Sequence, residues 1–175
     1  EVLTIERSAE ARVSVVPGGG TAAGFSVHGE PIAVDVVFPV LHGSFGEDGT
    51  IQGLLEMADV PYVGGGVLAS SAAMDKEKTK IIWQHEHLPV VPFICIKKYQ
   101  WDTLKTREVL ICQAEKELEY PLFVKPCRVG SSVGAGKAVD RADLLQKIQE
   151  AFLWDSKILI EACIAAREIE CSVTG

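Results

Sequence analysis

The alternation of apolar and polar positions divides the chain into short strands and amphipathic helices in a recurring order. Val13–Pro17 reads as an edge strand running into the turn Pro17-Gly-Gly-Gly-Thr21, so residues 1–31 are expected to form a surface hairpin or loop. Residues 32–41 are β-branched and apolar on both faces, the pattern of a central parallel strand. A glycine-dense polar loop follows, His42–Gly49, and then Ile51, Leu54, Leu55 and Ala58 at the spacing of one buried helix face. Val60–Val63 is a second short strand. Strand, loop, helix and strand make a βαβ unit with its polar loop at the carboxyl end of the first strand, where ligands collect in open α/β sheets. His42 is therefore a candidate site residue, against the alternative of a solvated loop histidine.

Met74–His85 predicts a helix with Ile81, Ile82 and His85 on one side and Lys76, Lys78 and Lys80 in its first half. Lysines oppose the positive end of a helix dipole, so the cluster implies either an anionic partner or solvation. His85 and His87 fall on different helix faces and cannot share a metal there. Leu88–Pro92 is a linker into a strand over Phe93–Lys98. Thr106–Leu118 predicts a helix with Val109, Leu110, Ala114 and Leu118 facing a core. A strand over Tyr120–Lys125 and another over Gly136–Val139 lead to a helix capped by Asp140, with Leu144, Leu145, Ile148 and Phe152 buried. Strands at Lys157–Glu161 and Glu168–Val173 complete an α/β chain.

Composition bounds this picture. The chain has 175 residues, 47% of them hydrophobic, enough for one compact domain or two small ones. No stretch is long and apolar enough to span a bilayer. The start, Glu1-Val-Leu-Thr-Ile-Glu6, has neither a signal-peptide pattern nor an initiator methionine. The end, Val173-Thr-Gly175, follows directly on an expected strand, so both ends are expected to be cuts within a longer protein. A net charge of -7 argues against a general nucleic-acid binder. The five cysteines (Cys95, Cys112, Cys127, Cys163 and Cys171) contain no C-x-x-C pair and read as buried free thiols rather than disulfides or a zinc site.

Candidate chemistry concentrates in Leu122–Gly136. A strand delivers Lys125, Pro126 stops it, and Gly130-Ser-Ser-Val-Gly134 follows with Arg128 just before. Glycines bring backbone N–H groups close to a ligand, hydroxyls add donors and the basic residues add charge, which suits a polyphosphate; the alternative is an ordinary Gly/Ser hairpin turn. The loop joins strand to strand and lacks P-loop spacing, since Ala135 stands five residues after Gly130 and Ala138 follows Lys137. A flexible hairpin over a nucleotide, with a strand lysine beneath, fits better. Glu161 at a strand end and Glu168 seven residues later offer carboxylates to a base and a ribose. Gly64–Ala69 matches a dinucleotide fingerprint, which predicts a strand ending near Glu86 where the pattern is helical.

These residues resemble the D-alanine–D-alanine ligases of the ATP-grasp superfamily. The matching segments are His42–Gly53, Pro61–Ser70, Met74-Asp-Lys76, Phe123–Pro126, Gly130–Gly134, Ile158–Glu161 and Arg167-Glu168, in family order over residues 32–175. The resemblance implies an ATP-grasp fold preceded by a Rossmann-like N-terminal domain, both incomplete. Residues 1–64 would be the remainder of the N-terminal domain, 65–160 the central subdomain and 161–175 the start of the C-terminal one. It implies ATP-driven joining of two D-alanines through an acyl phosphate for peptidoglycan synthesis, or, as the runner-up, a D-alanine–D-lactate or other carboxylate–amine ligase.

In that resemblance Lys76 and Lys125 neutralise the ATP phosphates, and Gly130, Ser131, Ser132 and Val133 cap the γ-phosphate. Ser131 positions the substrate, and His42 lies beside the dipeptide site. Glu161 accepts the adenine amino group, Ala162 and Ile164 give backbone contacts, and Glu168 binds the ribose. Some relatives carry a glutamate where Val129 stands and a lysine where Ala162 stands. Mg²⁺ ligands are expected outside this chain, which alone would be inactive. The whole would be a cytoplasmic homodimer. Two other classes compete: a nicotinamide dehydrogenase domain built on Gly64–Ala69, and a non-catalytic nucleotide-binding domain.

Overall fold

The computed structural model describes residues 12–172. The chain divides into two compact units, Glu1–Ala73 and Met74–Gly175. In the first, strands β1 (Val13–Val15), β2 (Phe25–Val27) and β3 (Glu30–Ile32) form an antiparallel sheet in the order β1-β2-β3, with the one-turn helix α1 (Gly20–Ala23) between β1 and β2. Helix α2 (Thr50–Ala58) buries Gln52, Leu55 and Ala58, while Ile51 is half-buried and Leu54 exposed. Helix α3 spans Val67–Met74.

The strand expected over residues 32–41 is not continuous. Its parallel partner is present only as a single bridge, Val37 to Tyr62, held by Val37 N–H to Pro61 O (2.8 Å) and Val63 N–H to Val37 O (2.9 Å). Val36, Phe38, Val40 and Leu41 are all more than half exposed. An apolar parallel strand is stable when neighbours pair with both edges and helices cover both faces, and the described residues supply one short neighbour. The parallel sense of the expected βαβ unit survives; its ladder does not extend.

The second unit opens with helix α4 (Lys76–His85), separate from α3 because Asp75 is its N-cap and accepts from Lys78 N–H at 3.2 Å. The single helix expected over Met74–His85 is thus broken at Asp75, and Ile81 and Ile82, expected on one side of it, are nearly half exposed. Strand β4 (Phe93–Lys97), the short helix α5 (Lys98–Trp101) and helix α6 (Leu104–Leu118) follow. Next come β5 (Leu122–Pro126), β6 (Gly136–Ala138), α7 (Arg141–Ala151) and β7 (Lys157–Ala162). The four strands form an antiparallel sheet ordered β4-β7-β5-β6.

Strand side chains alternate between faces. Ile94, Ile96, Leu122, Val124, Ile158 and Ile160 point to one face and pack against Leu110, Ile111, Ala114 and Leu118 of α6 and Leu144, Ile148, Ala151 and Phe152 at α7. Val109, expected in this core, is 60% exposed, and Ile111 takes its place. Asp140 caps α7 as expected, accepting from Asp143 N–H at 2.9 Å. Residues 168–172 of the expected last strand are irregular, and Val173 lies outside the described residues. All five cysteines are free, but Cys112 and Cys171 are exposed; of the five only Cys127 is fully buried. The Cys95 thiol and burial together push the Cys127 thiol upward, so it stays protonated and unreactive.

Asp155 ties the end of α7 to the start of the β5–β6 loop. It accepts from Arg128 N–H (2.8 Å), Lys157 N–H (3.1 Å) and the Arg128 guanidinium (2.5 Å). Burial pushes its carboxyl up, but these hydrogen bonds outweigh it and hold it below the ordinary aspartate value. A depressed carboxyl stabilises the fold above the unfolded-state pKa and loses that contribution as pH falls through the folded one. Asp155→Ala should cost about 2–3 kcal/mol at neutral pH, allowing for the half-exposed arginine. The loss should shrink below about pH 3.9. Denaturant melts at pH 7 and pH 3 check both statements.

Candidate active site

The sheet face opposite the core carries the chemistry. Glu161 of β7 has Phe93 of β4 as its register partner on one side and Phe123 of β5 on the other. Its side chain is 7% exposed and bracketed by two ammonium groups, Lys80 Nζ at 2.9 Å from Oε1 and Lys125 Nζ at 2.5 Å from Oε2. Each lysine also lies over one flanking ring, Lys80 over Phe93 (5.2 Å) and Lys125 over Phe123 (5.9 Å). The Lys80 contact lacks hydrogen-bond geometry, so Oε1 is buried with no hydrogen-bond partner.

The lysine cluster of α4 therefore splits in two. Lys78 is exposed beside Glu77. Lys76 and Lys80, one helical turn apart, both reach into this face. Lys76 anchors the loop: its backbone N–H donates to Cys127 O (3.0 Å), and its ammonium donates to Val129 O (2.7 Å). Asp75 and Glu77 meanwhile hold Lys157, at 2.5 and 2.6 Å.

The loop between β5 and β6 joins two antiparallel strands, as its spacing predicts. Val133 N–H donates to Gly130 O (3.2 Å), and the two central residues of that turn, Ser131 and Ser132, have φ of 52° and 56°. Two consecutive positive φ values define a turn that normally takes Asn or Gly, so serines there carry strain of the kind found at ligand clamps. Gly134 (φ 71°) lies against the Trp154 indole, where an added Cβ would come within 2.5 Å of Cδ1. The loop, Lys76, Phe123, Lys125 and Glu168 line a cavity of about 400 Å³. That is the size of a small-molecule cleft.

Most residues expected to meet a nucleotide therefore converge in the second unit: Lys76, Lys125, Gly130, Ser131, Ser132, Val133 and Glu168 in the cavity wall, and Glu161 in ion contact with Lys125. Ala162 N–H donates to Pro92 O (3.1 Å), leaving its carbonyl as the group it can offer. Ile164 is 57% exposed beyond the end of β7. Sequence reasoning missed Lys80 and Phe93. The signal available was the i,i+4 spacing of Lys80 from Lys76, which puts both on one helix face.

His42 belongs to the first unit, in a separate cavity of about 560 Å³ with Phe38, Leu41, Gln52, Val63 and Ser70. Its side chain is 85% exposed, and its Nδ1 is 3.8 Å from Glu47. The acidic pair after it organises the loop. Glu47 accepts from Gly43 N–H (2.7 Å), and Asp48 accepts from Phe45 N–H (2.9 Å) and Thr50 N–H (3.0 Å). Those hydrogen bonds hold the Asp48 carboxyl below its ordinary value. Gln52 donates to Gly46 O (3.1 Å) from a buried position, and its Oε1 has no partner. The dinucleotide reading of Gly64–Ala69 fails, because Glu86 caps the C-terminus of helix α4 instead of ending a strand.

Two outcomes test this geometry. Gly134→Ala should strain the loop by about 1–2 kcal/mol from its positive φ alone, with further displacement of Trp154; reduced Trp154 packing would show as a shift in indole fluorescence. Burial and the nearby Lys125 push Lys76 below the ordinary lysine value. A phosphate beside it would reverse that shift, so anion binding should take up protons at alkaline pH. Affinity should be full below the free-state value and fall as pH rises towards the bound-state value. Calorimetry in buffers of different ionisation enthalpy measures the uptake.

Two family models match the chain: D-ala D-ala ligase N-terminus over residues 6–65, and D-ala D-ala ligase C-terminus over residues 82–175. The D-alanine--D-alanine ligase of Treponema denticola is 59% identical over 99% of this chain and 47% of its own length. That of Geobacillus kaustophilus is 48% identical over 91% of this chain and 42% of its own. Among solved structures, the VanG D-Ala:D-Ser ligase from Enterococcus faecalis superposes with a TM-score of 0.77 at 34% identity, covering 89% of this chain and 43% of that one. D-alanyl-alanine synthetase A from Vibrio cholerae gives a TM-score of 0.77 at 28% identity, covering 89% and 44%. The chain thus spans about half the length of the relatives it matches. With both of its models matched in order and an ATP-grasp structure shared with solved relatives, the chain belongs to the D-alanine–D-alanine ligase family.

Proposed function

We propose that the protein containing this chain joins two D-alanines at the expense of ATP, giving D-alanyl-D-alanine for peptidoglycan synthesis. The observation that carries this reading is the cavity that gathers Lys76, Lys125, the Gly130–Val133 turn and Glu168 beside a buried Glu161. The reaction balances as follows. A carboxylate oxygen of one D-alanine attacks the γ-phosphorus and ADP leaves. The amine of the second attacks the acyl carbon, phosphate leaves, and the amine proton passes to solvent or a base.

The residues of this chain would bind and orient. Lys76 and Lys125 offset phosphate charge, and the Gly130–Val133 turn, closed by Val133 N–H to Gly130 O, would turn the N–H groups of Gly130, Ser131 and Ser132 to the developing charge at phosphorus. Ser131 positions the reacting carboxylate. Glu161 accepts from the adenine amino group, with Ala162 and Ile164 giving backbone contacts, and Glu168 holds the ribose. His42 would act at the dipeptide side. Among the described residues no group of three or more His, Cys, Asp or Glu side chains could hold a metal ion. Mg²⁺ ligands would lie elsewhere in the complete protein.

We propose the division into residues 1–64, 65–160 and 161–175; the N-terminal family model, which ends at residue 65, supports the first boundary alone. No helix among the described residues is long and apolar enough to cross a membrane. A cytoplasmic homodimer is the assembly and location we propose.

The test is phosphate release by the complete protein with Mg·ATP and D-alanine, repeated with D-serine and D-lactate as second substrate. No release with D-alanine would end this reading. Lys125→Ala should weaken ATP binding about tenfold, or about 1.4 kcal/mol, with the melting temperature nearly unchanged. Unchanged affinity would remove Lys125 from the phosphate site.

A further inference from the structure

Both oxygens of Glu161 face lysines, Lys80 at Oε1 and Lys125 at Oε2. Under the nucleotide reading, on which the following inference rests, Lys125 has to reach phosphate and Glu161 has to accept from a base. Those tasks conflict with the ligand-free arrangement, in which Lys125 is 2.5 Å from the carboxylate. One ammonium has to leave, and a buried carboxylate left with no cation is costly.

The two lysines are not equivalent. Lys80 is 12% exposed, is carried on α4, donates to Val91 O (3.3 Å) and lies over Phe93. It is held on three sides. Lys125 is 25% exposed and lines the cavity together with the Gly130–Val133 loop. We propose that Lys80 is the resident counter-ion of Glu161 and Lys125 the exchangeable one. When nucleotide enters, Lys125 swings from Glu161 to the phosphates, while Lys80 stays beside the carboxylate and offsets its charge. Oε2, vacated by Lys125, is then free to receive the base amino group, while Oε1 stays buried beside Lys80. Lys80 is thus a positioning residue, acting through Glu161 and Lys125 without touching substrate.

The arrangement makes a non-additive prediction. In K80M, Lys125 becomes the sole cation for Glu161 and stays pinned to it, so affinity for ATP should fall about tenfold. Adding E161Q to K80M should restore affinity to within about threefold of wild type, because a neutral amide releases Lys125 and its oxygen still accepts. K80R should bind like the wild type. A lysine that merely held the fold would give a double variant no better than K80M.

The measurement is the dissociation constant for ATP in the complete protein, with melting curves alongside. K80M binding as tightly as wild type, or K80M/E161Q binding no more tightly than K80M, overturns the inference. Should K80M not fold, K80M/E161Q decides alone: folded and within threefold of wild type supports the exchange, folded and tenfold weaker overturns it. Wild-type protein that binds no ATP would instead overturn the nucleotide reading itself, a result visible before any variant is compared.

Discussion

The second unit is organised around the buried carboxylate of Glu161. Glu161 stands on the central strand β7, paired on both edges, and a charge in that position is tolerated only if cations reach it. Lys80 comes from the helix that lies over this face, and Lys125 from the adjacent strand. The helix, the sheet and the strand leading into the glycine-rich loop are thereby tied to one point. The opposite face, where Ile158 and Ile160 meet α6 and α7, supplies the apolar burial that keeps β7 in place. The same strand serves core and site by alternation.

The loop above this point is held at its base rather than along its length. Lys76 pins the carbonyls of Cys127 and Val129, and Asp155 fixes Arg128. Beyond Gly130 the turn is exposed and bends through two serines at positive φ. A rigid base with a strained tip suits a segment that must present N–H groups to an anion and still admit it. Trp154 then sets the return path, since Gly134 passes too close to its ring for any side chain.

The first unit follows a different logic. The acidic residues of its glycine-dense loop are spent on backbone: Glu47 and Asp48 order the loop after His42, and Ser71 donates to Asp48 O at 2.8 Å. His42 itself is left exposed in an apolar cavity. The chain covers about half of its relatives' length, and the apolar residues 36–41 have only one short neighbour among the described residues.

The sequence by itself determined the elements whose signals are local. Asp140 and Asp143 marked a helix start, the alternation of Leu122–Lys125 and Ile158–Glu161 marked strands, and Gly130–Gly134 marked a strand-to-strand turn. It also determined the family, because ordered short motifs survive where composition says little. Tertiary structure alone decided the rest. The break at Asp75 is the exception, since its cap on Lys78 N–H is as local as that of Asp140 and is hidden only by a continuous helical periodicity. Val109 and Ile111 exchanged places because the core face depends on how α6 meets the sheet. Lys80 became part of the site because Glu161, eighty-one positions away in sequence, lies beneath it. A charge pair across a sheet depends on register and packing, which no local pattern of residues encodes.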